Sequence, residues 1–102
     1  MLDVLFADPG AAADELHELC QGGADWYVGT AADPRHRLSL LHNVDLDSGR
    51  YVIVKCTQAG VALGAARLLR DEHGYGGVPA AGGVDCVYIY AYAITADTRQ
   101  LR

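Results

Sequence analysis

Apolar and polar positions along the chain recur with two periods, one suited to strands and one to helices. Residues 2 to 6, LDVLF, read as a short strand. Asp8-Pro9 then supplies a cap and a proline for the first helical position, which predicts a helix from Pro9 to Gln21. Ala12, Leu16, Leu19 and Cys20 share its apolar face, Asp14, Glu15 and Glu18 lie largely elsewhere, and Gly22-Gly23 ends it. Trp26-Tyr27-Val28 reads as a strand closed by Gly29, and Asp33-Pro34 starts a second, short helix through His42 with Leu38 and Leu41 inward.

The polar stretch NVDLDSGR leads into YVIVKCT at 51–57, whose β-branched and aromatic content predicts a central strand. Gln58 to Glu72 reads as a helix with a small-residue face of Ala62, Ala65, Ala66 and Leu69. HGYGGVPAAGG, residues 73–83, lacks periodicity and is read as a mobile loop. Residues 86–95, CVYIYAYAIT, alternate strictly, with Tyr88, Tyr90 and Tyr92 on one face of a last strand. Such a stripe can stack bases, although a helix laid over it is the commoner arrangement. The order β-α-β-α-β-α-β predicts an α/β or α+β fold: a small, mainly antiparallel or mixed sheet of three to four strands with helices packed against it.

The length of 102 residues favours a single domain, 1–102. No apolar run reaches the length of a bilayer span, and MLDVLFADPG lacks the cationic start of a secretory signal, so the expected location is cytoplasmic. Cys20, Cys56 and Cys86 have no zinc-ligand spacing and read as reduced thiols. The net charge of −5 opposes strong binding of bare nucleic acid, but the charge is unevenly spread. No Lys or Arg precedes Arg35, where seven acids stand; the remainder has eight bases against six acids. An acidic strand–helix segment, 1–25, thus precedes a weakly basic core, 26–95.

Tyr27-Val28-Gly29, followed by Asp33-Pro34, Arg37-Leu38 and His42-Asn43, resembles the GIY-YIG nuclease superfamily. The resemblance covers residues 26–95 and implies a nuclease-like site. There a tyrosine would orient or deprotonate water, an arginine would neutralise a phosphate, and a glutamate on a later helix would hold one divalent metal. It implies Tyr27, Arg37 and His42 as residual catalytic positions.

Two family features are missing. The Gly-Ile-Tyr strand expected about ten residues before Tyr27-Val28-Gly29 is replaced by the acidic helix ADELHELCQ. Alignment puts Ala66 at the expected glutamate position, which leaves no metal ligand. Asp71 and Glu72 are rotated from it by about 140° and about 120° on an α-helix, and neither reaches the same spot. Metal chemistry with Mg or Mn therefore belongs only to a reading with a relocated carboxylate, and no cofactor is expected otherwise.

Arg35, Arg37, Arg67 and Arg70 would form a phosphate-binding patch if the second and third helices adjoin. Arg37 has a plainer alternative, pairing with Asp33 four residues earlier. The resulting expectation is a degenerate GIY-YIG-like domain that binds nucleic acid weakly and salt-dependently, or a protein partner through its acidic N-terminal segment, without efficient metal-dependent cleavage. That segment could also dock near Arg37 and Arg67 and fill the anion site in cis. The rivals are an active endonuclease and a small interaction or oligomerisation module, including a homodimer.

Overall fold

A computed structural model describes residues 5–20, 25–47, 50–77, 83–95 and 98. The elements are α1 (Pro9–Cys20), β1 (Trp26–Ala31), α2 (Pro34–His36) running into a π-helical turn (Arg37–Leu41), β2 (Tyr51–Lys55), α3 (Ala59–His73) and β3 (Tyr88–Ala93). They form an α+β fold, with three helices on a three-stranded antiparallel sheet. No helix among the described residues is long and apolar enough to cross a membrane.

The sheet order is β1-β3-β2, so the central strand is the last one and not residues 51–57 as the β-rich composition predicts. Composition reports fitness for a pleated surface, whereas position depends on partners distant in sequence. β1 also continues through Gly29 to Ala31 instead of stopping there. Each outer strand has a short backbone neighbour. Val28 N–H donates to Gly76 O at 2.9 Å and Gly76 N–H to Trp26 O at 2.7 Å, along β1. Thr57 N–H donates to Phe6 O at 2.9 Å, beside the end of β2. Phe6 is the bridged residue of the strand read at 2–6; residues 2–4 of that reading lie outside the described residues, as do Gln21 and Gly22-Gly23.

Strand alternation sends two sets of side chains to opposite faces. On one face Trp26, Val28, Val54, Ile89 and Ala91 pack against α1 and α3. Ala12, Ala13 and Leu16 of α1 meet Ala62, Ala65, Ala66 and Leu69 of α3 there, and their small side chains let helices and sheet approach closely. Asp8 starts α1 as read from sequence, its carboxylate accepting Ala11 N–H at 2.9 Å. On the other face Tyr27, Ala31, Tyr90 and Tyr92 are covered by Leu38 and Val44. Tyr90 and Tyr92 are therefore packed aromatics and offer no open stacking platform. The loop read as mobile at 73–83 is docked in its first part: Tyr75 is buried and Gly76 lies against β1, while residues 78–82 are outside the described set.

Candidate functional site

The second face is organised around His42. Asp33 caps α2, accepting His36 N–H at 3.2 Å, and Pro34 occupies the first turn. The helix then widens: His42 N–H bonds Arg37 O, five residues back, at 3.0 Å. Asn43 adopts φ 56°, and Val44 N–H closes on Leu38 O at 2.8 Å. Pro34, Leu38 and His42, spaced by four, are all buried. An α-helix advances residues four apart around its axis; a wider turn brings them back into line, so all three face the sheet. The side chain of Leu41, predicted to point inward, lies outside the described set.

His42 bridges two tyrosines of the central strand. Its Nε2 lies 2.8 Å from the Tyr90 hydroxyl and its Nδ1 lies 3.1 Å from the Tyr92 hydroxyl. A neutral imidazole has one N–H and one bare nitrogen, so one hydroxyl accepts from the ring and the other donates to it. Tyr27 closes the cluster, its ring centroid 4.9 Å from His42 and 5.1 Å from Tyr92. Burial pushes the Tyr90 hydroxyl up to about 12; nearby Tyr27 adds to the rise, and the charge and hydrogen bond of Arg37 pull it back. Tyr92 is raised as well, by burial first and then by Tyr27 and Tyr90.

Tyr27, Arg37 and His42 are thus brought together, with Arg37 exposed at the rim and the tyrosines sealed beneath. Asp33 accepts His36 N–H as the cap of α2, and Arg70 lies 3.4 Å from Asp71. The proposed four-arginine patch is not assembled. Arg35 and Arg37 belong to the segment over the tyrosine face, whereas Arg67 and Arg70 are exposed on α3, which packs on the other face. The sheet lies between them. α1 is on the α3 side too, so the described part of the acidic segment is in no position to fill a site at Arg37 in cis.

Ala66 is fully buried in the α1–α3 layer, across the sheet from Tyr27 and His42. A carboxylate at position 66 would enter apolar packing and not the cluster. Asp71 and Glu72 are exposed on the same helix. Among the described residues there is no group of three or more His, Cys, Asp or Glu side chains that could hold a metal ion.

Sequence reasoning treated Tyr90 and Tyr92 as a packing stripe and missed their bonds to His42. The available signal was Gly29, a residue without a side chain within a strand, which makes room for a bulky neighbour. A second polar cluster, also missed, lies beside α1. His17 Nδ1 is 3.0 Å from the Tyr75 hydroxyl, and the His17 and His73 rings stack at 3.9 Å. Burial raises Tyr75, and its hydrogen bond to Cys20 raises it further. Cys20 and Cys56 are buried thiols raised by that burial, in keeping with reduced, unreactive cysteines. The chain matches no protein-family model, no curated protein and no solved structure.

Proposed function

We propose that the chain is a degenerate GIY-YIG-like domain that binds a nucleic-acid phosphate at Arg37 and has lost efficient metal-dependent cleavage. The observation that carries this reading is the state of the hydroxyl facing Arg37: Tyr90 is 2% exposed and tied to His42. A phenol held near a pKa of 12 keeps its proton at neutral pH, whereas a general base works best with a pKa near the operating pH. The sealed tyrosines support binding over catalysis. Arg37, exposed and held from below by the cluster, remains free to form charge-assisted bonds with a phosphate.

Strand pairing bears on this reading. The resemblance calls for a Gly-Ile-Tyr strand about ten residues before Tyr27-Val28-Gly29. Upstream sequence does not provide one, but β3 pairs with β1 and sets Tyr90 opposite Gly29 and Tyr92 opposite Tyr27. In this reading the missing tyrosine comes from the far end of the chain.

The test combines cleavage and binding. With supercoiled plasmid and Mg²⁺ or Mn²⁺, no nicking above background is expected. Short single- and double-stranded oligonucleotides should bind more weakly as salt rises, and Arg37→Ala should lower the salt slope by about one phosphate contact. Cleavage abolished by Arg37→Ala would reverse the reading toward an endonuclease. A protein that self-associates tightly and shows no salt-dependent binding would support an oligomerisation module instead.

A further inference from the structure

Tyr88, Tyr90 and Tyr92 leave β3 on the same face, but they meet different fates. Tyr90 and Tyr92 are sealed under the His42 segment, while Tyr88, at the start of the strand, is half-buried. Its register partners are Ala31 on β1 and Lys55 on β2. Ala31 presents only a methyl group beside the ring. Lys55 is exposed and sets its ammonium 5.4 Å from the Tyr88 ring centroid.

From this arrangement we infer that Tyr88 and Lys55 form a nucleotide subsite, Tyr88 stacking one nucleobase of a single strand and Lys55 taking the adjoining phosphate. The inference rests on the proposed phosphate contact at Arg37 and extends it along the sheet. Tyr88 and Tyr90 are two residues apart on one face, a separation of about 7 Å. A strand whose phosphate meets Arg37 above Tyr90 therefore brings the next base within reach of Tyr88. Lys55 beside the Tyr88 ring and Arg37 above Tyr90 are exposed cations, the pairing that a base and its adjoining phosphate call for. The exposed Asp33, Asp45 and Asp47 of the covering segment balance the charge of the face as a whole and favour a short single strand over an extended polyanion. Energy permits the exchange. An exposed lysine over a ring strengthens association about 2- to 5-fold, whereas a base stacked on an aromatic contributes about 5- to 150-fold. The base displaces the ammonium, and the flexible lysine stem carries it to phosphate.

The experiment titrates the full chain with a labelled ten-residue oligothymidylate and with an abasic ten-mer of the same charge, at two salt concentrations. Wild type should prefer the base-bearing strand by about 5- to 150-fold. Tyr88→Ala should lose that preference while keeping its salt slope, Tyr88→Phe should retain it, and Lys55→Ala should lower the slope by about one contact. Thermal melts accompany each variant, and the wild-type comparison of the base-bearing with the abasic strand keeps the test valid if the alanine variant is poorly folded. If wild type binds both strands equally while Arg37→Ala still weakens binding, the subsite is wrong and the phosphate contact stands. If no salt-dependent binding to either strand occurs, both fail together; exclusive capture of an acidic peptide would also overturn the subsite.

Discussion

Gly29 lies directly beneath Tyr90. A Cβ added at position 29 would stand 2.5 Å from the Tyr90 hydroxyl oxygen and 2.6 Å from its Cζ. The two residues are register partners on neighbouring strands, so the phenol crosses the bare backbone of β1 on its way to His42. Gly29→Ala should destabilise the protein by about 1–3 kcal/mol through overpacking. Because the same displacement breaks the Tyr90–His42 bond, Gly29→Ala and Tyr90→Phe should be strongly non-additive in denaturant titrations. Simple addition of their effects would show that the contact is not the cause.

His42 holds two buried hydroxyls, and its loss leaves both without their shared partner. His42→Ala should cost about 3–5 kcal/mol, combining a cavity with unmet polar groups, whereas Tyr92→Phe should cost about 1 kcal/mol. Urea unfolding of the two variants tests this ordering. A Tyr92→Phe effect as large as that of His42→Ala would mean that the ring does not organise the cluster.

Alkaline pH should unfold the protein through its phenols. An unfolded tyrosine ionises near 10, whereas Tyr90 is held to about 12 and Tyr75 and Tyr92 are also raised. Over that interval the unfolded state releases protons first. The stabilisation is complete below pH 10 and is lost as pH rises toward 12, by on the order of 3 kcal/mol for Tyr90. Denaturation at pH 8 and pH 11, followed beside tyrosinate absorbance, reads this out. Tyr90→Phe should flatten the decline, and a Tyr90 that titrates like a free phenol would refute the assignment.

Two glycines should answer alanine in opposite senses. Gly60 stands exposed in α3 with open space around its Cα, so Gly60→Ala should stabilise by roughly 0.5 kcal/mol. Gly77 has φ 119° and its added Cβ would collide with Val28 O, so Gly77→Ala should destabilise and loosen the segment along β1. Melting temperatures and amide exchange at Val28 measure the pair. Protection at Val28 that survives Gly77→Ala would separate the segment from the strand edge.

How much of this the sequence revealed follows from the range of each interaction. Helix starts at Asp8-Pro9 and Asp33-Pro34 were legible because capping is settled within three or four residues. The alternation of residues 88–93 also survived intact, since a strand's own period needs no partner to be seen. Strand order was not legible: Tyr90 meets Gly29 and Ile53 across long stretches of chain, and nothing local records that. Gly29 read as a stop for the same reason. Its role is visible only when Tyr90 lies over it. Within the candidate site, the Tyr27–Arg37–His42 spacing could be read along one segment, whereas Tyr90, Tyr92 and the far-side placement of Ala66 depended on pairing across the sheet.

The position of β3 sets the order in which the molecule can come into being. β1 and β2 do not touch as sheet neighbours; among the described strands each pairs with β3, which follows both in the chain. While residues 88–93 remain inside the ribosome, neither earlier strand has its ladder, and Tyr27 and His42 have neither Tyr90 nor Tyr92 to meet. With no strand hairpin to nucleate the sheet, pairing must wait for a long loop to close, which slows folding. A chain halted before Tyr88 should therefore hold helices without the three-stranded sheet, and the cluster around His42 should form only once β3 has been made.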